Sequence, residues 1–257
     1  LEIVNAANTP HLEQYKSYLY SRLQRQGFDR HDVHRLAARD RHVFAALMLE
    51  HGHGDGLVTG ATRKSAHVMQ RINMVFDASA EHGAVGVTAL LHKGRIVLIG
   101  DTLVHEWPDE QDLATIAERS ADVARHLGLE PRVAFVSFST FGYPRSERAE
   151  KMHLAPSVLE QRGVDFEFEG EMTVDVALNA QAQKAYPFSR LTGPANILVV
   201  PARHSASIST KLMQEMAGAT VIGPILAGID ESIQICSTVS TVNDIVNMAV
   251  LAACKVG

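Results

Sequence analysis

The chain has 257 residues, enough for one large domain or two of ordinary size, and its 46% hydrophobic content can fill a sizeable core. A formal net charge of -5 excludes a general nucleic-acid surface, which needs clustered Lys and Arg. No apolar run reaches the roughly 18 residues of a membrane span, no basic-then-apolar leader opens the chain, and Cys236 and Cys254 are too few for a disulfide framework. A reducing cytoplasm is the expected compartment.

The first residue is Leu1 rather than Met, and Glu2 to Val4 read as a strand with nothing before it to lie beside. That is expected of a fragment cut inside a domain. Leu12, Tyr15, Leu19 and Leu23 recur at helical spacing, so Thr9 to Gln26 is a helix closed by Gly27. Asp29 to Glu50 follows as two helical pieces, Leu57 to Thr59 as a short strand, and Lys64 to Phe76 as a helix. Val85 to Leu91 and Arg95 to Ile99 flank Lys93-Gly94 as an antiparallel hairpin. Leu113, Ile116, Ala117, Ala121, Ala124 and Leu127 line one face of a helix over Asp109 to Leu127, which Gly128 stops. Val133 to Phe138 reads as a buried strand and Arg145 to Arg162 as a polar helix ended by Gly163. Ile197 to Val200 is a strand closed by Pro201, Ser205 to Met216 a helix, and Thr220 to Ile222 a strand ending at Gly223-Pro224. Strands alternating with helices imply an α/β fold with a largely parallel sheet, and the hairpin makes part of it antiparallel.

Several clusters invite chemistry. HGHGDG, His51 to Gly56, lacks a full G-x-G-x-x-G and precedes a strand instead of following one, so a tight turn is preferred to a nicotinamide site. His51 and His53 have no Cys or carboxylate partner in that turn, and exposed turn histidines are preferred to a metal pair. Ser137, Ser139 and Thr140 stand at the C-terminal end of a strand with Gly142 beyond, where ligands of open α/β sheets sit. From the residues alone, a hydroxyl capping the following turn is an equal reading. Val164, Phe166 and Phe168 alternate with Asp165, Glu167 and Glu169, which places those carboxylates on a solvated face instead of in an acid–base pair. Thr241-x-x-Asp244 has the spacing of a capping box at the start of the last helix.

Tyr186 to Asp230, YPFSRLTGPANILVVPARHSASISTKLMQEMAGATVIGPILAGID, resembles the phosphotransacetylase (phosphate acetyl/butyryltransferase) family. The wording SRLTGPAN, VIGPILAGI and IVNMAVLAA is most similar to the C-terminal phosphotransacetylase-like domain of bacterial NADP-dependent malic enzymes, and EGEMTVDVALN matches as well. The resemblance covers nearly all of the chain. It implies a two-lobed α/β fold, an isocitrate/isopropylmalate dehydrogenase-like phosphotransacetylase fold with mixed sheets and an inter-lobe cleft. Residues 1–60 and 220–257 would form a first lobe lacking its opening strands, and 61–219 the second.

The family uses a Ser and an Asp seven residues apart, the Asp as base towards the coenzyme A thiol, and these fall on Ser237 and Asp244. Its phosphate-holding arginines are replaced, by Thr238 directly after the serine, by Glu215, by Gln70 and near Leu23. Arg22, Arg25, Arg63 and Arg71 could compensate for one or two of them. A planar, permanently charged fork suits that task, and its loss costs several kcal/mol of transition-state binding. The expectation is therefore a non-catalytic, acetyl-CoA-binding regulatory and oligomerisation domain, with Ser237 and Asp244 vestigial. The ligand is expected near those two residues, near Ser137, Ser139 and Thr140, and near the turn of Thr192, Gly193, Pro194 and Asn196. No metal is expected in this chain; NADP and a divalent metal would belong to a malic enzyme domain elsewhere in the same protein. A homodimer is the expected minimum, partly because the last helix is apolar around much of its circumference. The alternatives are an active phosphate acetyltransferase using Ser237 and Asp244, and a ligand-free dimerisation module.

Overall fold

Helices in this chain begin where a short polar side chain can satisfy the first free N–H groups. In the computed structural model, which describes residues 2–77, 83–144, 146 and 149–254, three of them start on reciprocal capping boxes. The described residues form two compact units, one up to residue 77 and from 229 on, the other Gly83–Gly228.

The first unit opens with α1 (Leu12–Leu23), α2 (Arg30–Arg39), capped by Asp29, and α3 (Arg41–Glu50). β1 (Leu57–Gly60) and α4 (Ser65–Asn73) follow. Tyr15, Leu19 and Leu23 of α1, Val33 and Ala37 of α2, and Val43 and Leu47 of α3 make its core. Glu2 to Val4, expected as a strand, are not one: no described strand lies beside them and Ile3 is exposed.

The second unit opens with the hairpin β2 (Val85–His92) and β3 (Arg95–Gly100), then α5 (Glu110–His126), β4 (Arg132–Val136), α6 (Glu150–Arg162) and β5 (Glu167–Met172). Arg145, Glu147 and Arg148, at the expected start of α6, lie outside the described residues. Short α7 (Val174–Leu178) and α8 (Ala180–Gln183) lead to β6 (Ile197–Val199), α9 (Arg203–Ala217) and β7 (Thr220–Ala227). The sheet order is β5-β4-β6-β3-β2-β7, with β2 antiparallel to both neighbours and every other pairing parallel. β7 runs past Gly223-Pro224 instead of ending there. It is an edge strand, and the irregularity in its pairing opposite Val87 and Ala89 accommodates a residue without an N–H.

The chain then returns to the first unit as β8 (Ile233–Cys236), parallel to β1, and α10 (Val242–Ala253). Gly60, paired with Cys236, has φ +110, and a Cβ there would meet the Cys236 carbonyl at 2.1 Å. The division falls after 77 and at 228/229, not at 60/61 and 219/220. α4 packs on α3, β1 and β8, and β7 is paired along β2.

Candidate functional site

Parallel strands deliver their following loops to one edge of a sheet. In the second unit that edge collects Ser137 after β4 and Thr173 after β5, with the Ser137 N–H bonded to the Met172 carbonyl at 2.9 Å. Thr140 and Tyr143 exchange backbone bonds of 2.9 and 3.2 Å and turn the chain back over the strand ends.

Glu171, only 1% exposed, lies beneath this turn. Its Oε1 accepts from the Ser139 hydroxyl (2.9 Å) and the Gly142 N–H (2.8 Å), while Oε2 lies 2.9 Å from His153 Nδ1 on α6. Burial alone would push this carboxyl up. The Gly142 N–H, the Ser139 hydroxyl and the His153 ring more than offset it, and hold the group below the ordinary carboxylate range. An ionised carboxylate only accepts, so Nδ1 carries the proton and Nε2 of the 57% exposed His153 side chain is the ring's free edge. These residues, with Phe141 and Pro144, line a cavity of about 630 Å³. Gly170 lets the strand bring Glu171 there: its φ is +151, and a Cβ would meet Phe135 at 2.8 Å. Apolar Phe141, Pro144 and Ala149 and polar Ser146, Glu150 and His153 line the cavity above the buried Glu171, a combination able to orient a polar group.

Of the residues expected from sequence, Ser139 and Thr140 reach this place. Ser139 is committed to Glu171, Ser137 Oγ lies 3.5 Å from Ser139 Oγ, and Thr140 Oγ1 accepts the Thr173 N–H at 3.2 Å. The Thr192 to Asn196 turn does not join them, which corrects the expectation of one shared site. It precedes β6, so it lies at the opposite edge of the sheet, beside the start of β4. There it acts as a fastener. Asn196 Oδ1 accepts the Arg132 N–H at 2.8 Å, its Nδ2 donates to the Glu130 carbonyl, and the Pro194 carbonyl accepts from Arg132 Nε. Thr192 donates through N–H and hydroxyl to Glu167, and the Gly193 carbonyl accepts from Gln183. Glu169 is likewise not solvated. It is buried and receives the Arg190 N–H at 2.9 Å and its guanidinium at 3.1 Å, a partner 21 residues away that alternation cannot reveal.

In the first unit, Ser237 follows β8 and its Oγ accepts the Val239 N–H at 3.1 Å. Asp244 Oδ2 accepts the Thr241 N–H at 2.7 Å and its hydroxyl at 2.9 Å, so the capping reading holds for Asp244. Arg22 is paired with Asp77 at 2.8 Å and Arg71 with Asp40 at 3.0 Å, while Leu23 is a core residue. His53 Nδ1 lies 2.5 Å from the Tyr15 hydroxyl, and its ring lies 4.1 Å from that of His11. Among the described residues no group of three His, Cys, Asp or Glu is placed to hold a metal.

Sequence reasoning missed Glu171 and His153 as site residues. Glu171 lies inside EGEMTVDVALN, and its place directly after Gly170 is the available signal; His153 carries none.

The sequence model described as phosphate acetyl/butaryl transferase matches residues 1–253. An NADP-dependent malic enzyme of Rhizobium meliloti is 48% identical over the whole chain, which spans only 34% of that relative's length. A phosphate acetyltransferase of Bacillus subtilis is 29% identical over 90% of this chain and 72% of its own. The crystal structure of a phosphotransacetylase from Streptococcus pyogenes superposes with a TM-score of 0.89 at 25% identity, covering 99% of this chain and 78% of that one. Matched along nearly its whole length in sequence and in fold, the chain belongs to the phosphate acetyl/butaryl transferase family.

Proposed function

We propose that this chain is a non-catalytic, acetyl-CoA-binding regulatory and oligomerisation domain of an NADP-dependent malic enzyme, an oxaloacetate-decarboxylating malate dehydrogenase. NADP and a divalent metal would be held elsewhere in that longer protein. The observation that carries the reading is the state of the family's charged positions. Thr238 stands uncharged and exposed beside Ser237, Glu215 is an exposed carboxylate, and Asp244 is held in a helix cap. Of the arginines able to compensate, Arg71 is held by the largely buried Asp40 carboxylate 3.0 Å away. Thr238 and Glu215 offer phosphate no cation, and on this reading Ser237 and Asp244 are vestiges of a transfer centre. The acyl-thioester end of acetyl-CoA suits the cavity over Ser139, His153 and Glu171, where Phe141 and Pro144 offer apolar contact and the His153 ring a polar edge. Regulation follows if the ligand binds two states of the protein with different affinity.

The second reading, an active phosphate acetyltransferase, draws on the family itself and on the likeness to the Bacillus protein. Two measurements separate them. Acetyl-CoA stabilises the folded chain, by about 2.7 kcal/mol at a hundredfold excess over its Kd. Acetyl phosphate and coenzyme A give no thiol consumption. Turnover of about 1 per second or faster establishes the transferase instead. A flat calorimetric titration with acetyl-CoA on folded protein leaves a pure dimerisation module.

A further inference from the structure

A second cavity of about 540 Å³ opens in the second unit, between the loop after β3 and the first turns of α9. Thr102, Glu106, Trp107, Arg203, His204 and Ser207 line it. Trp107 is the only tryptophan of the chain and is 71% exposed. It presents a large aromatic face to water at the rim of this cavity.

The loop that presents it is held from beneath. Buried Asp101 accepts the N–H groups of Gly86 (2.9 Å), Leu103 (2.7 Å) and His105 (2.8 Å). Lys151 Nζ donates to the carbonyls of Pro108 (2.7 Å) and Pro201 (2.9 Å), tying the loop to the end of β6, and stands 6.0 Å from the Trp107 ring centre. The His204 ring lies 4.9 Å from Trp107, tilted by 53°. Arg203 donates to the Leu103 carbonyl at 3.1 Å and pairs with Glu106 at 3.2 Å. Glu106 is mostly exposed, and such surface pairs are weak, so a ligand anion can replace it on the guanidinium. An aromatic face, a guanidinium, an imidazole and two hydroxyls thus converge on a volume of ligand size.

We propose that this cavity binds a nucleoside 5′-diphosphate, with the base stacked on Trp107 and the phosphates on Arg203 and His204. Stacking tolerates any base, and the guanidinium fork matches phosphate oxygens in pairs. The inference does not depend on whether the Glu171 cavity takes acetyl-CoA. The same chemistry occurs in free nucleotides and in the nucleotide end of coenzyme A, and the test separates them.

Because Trp107 is the only tryptophan, its emission reports on the site directly. The chain is titrated with ADP, inorganic phosphate, adenosine and acetyl-CoA, with calorimetry in parallel. ADP should quench or shift the emission saturably below millimolar concentration, with phosphate and adenosine each about tenfold weaker or more. Arg203→Gln should weaken ADP about tenfold while leaving the thermal midpoint within about 2 °C. Trp107→Ala, followed by calorimetry, should weaken ADP to a similar extent, and Trp107→Phe should restore it. Competition by acetyl-CoA assigns the nucleotide end of the coenzyme, and its absence assigns a free nucleotide. Unchanged emission with a flat calorimetric trace at millimolar ADP overturns the proposal. So does phosphate binding as tightly as ADP, which leaves a bare anion site, or undiminished ADP binding by Arg203→Gln.

Discussion

Glu171 is a buried carboxylate kept ionised by its three partners, and this gives it a defined effect on stability. Its folded-state pKa lies below the unfolded value of 4.5, so its contribution is complete above that pH and is lost as the pH falls through the folded value. Between pH 5 and pH 3, urea midpoints of the wild type should fall more steeply than those of Glu171→Gln, which has no proton to gain there (about one proton's difference in slope). Parallel curves would remove Glu171 from this role. Glu171→Ala at pH 7 should cost about 3 kcal/mol, because it strands the Ser139 and Gly142 donors and leaves a cavity. The two thiols should also separate. Cys236 is buried, and burial together with the Asp244 carboxylate pushes its thiol up, whereas Cys254 is exposed. Iodoacetamide at pH 8 should alkylate Cys254 first, and peptide mass spectrometry showing Cys236 modified at the same rate would contradict this.

At the scale of elements, α10 tests whether Asp244 does more than cap. Thr241 and Asp244 satisfy each other's backbone N–H groups, so neither bond is independent of the other. Thr241→Ala and Asp244→Ala should each cost about 1 kcal/mol, and the double variant little more than either alone. Additive losses would show that Asp244 stabilises the chain through contacts outside the box. The box accounts for Asp244 through Thr241 three residues before it, whatever stands at Ser237 seven residues before.

For the whole molecule, the exposed apolar surface bears on assembly. Met248 and Ala252 of α10 are buried, while Val242, Val246 and Val250 are exposed; Ile208, Leu212 and Met216 form an exposed stripe on α9. Contiguous apolar patches of this kind favour association, which supports the proposed oligomer. Light scattering at micromolar concentration should give at least twice the 28.0 kDa chain mass, and Leu212→Glu or Val246→Glu should shift it towards the monomer. A monomer mass for the unmodified chain would overturn the expectation. Among the described residues no helix is long and apolar enough to cross a membrane.

Local chemistry determined most of the elements in advance. α1 and α5 follow from 3.6-residue periodicity, the β2–β3 hairpin from Lys93-Gly94, and the start of α10 from Thr241 and Asp244 three apart. These depend on neighbours within one turn or one hairpin, and sequence contains such neighbours. The family was legible for the same reason, in SRLTGPAN and VIGPILAGI. Tertiary structure decided which loops share an edge. Ser139 and Thr192 are both expected beside one ligand, but a loop after β4 and a loop before the parallel β6 emerge at opposite edges, and only the pairing of the strands assigns them. It also decided that Glu169 is buried against Arg190 and Glu171 beneath Gly142, because a carboxylate's solvation depends on partners far away in the chain. Spacing along the chain fixes what lies within a few residues, while burial and charge pairing are set by which distant segments the sheet brings side by side.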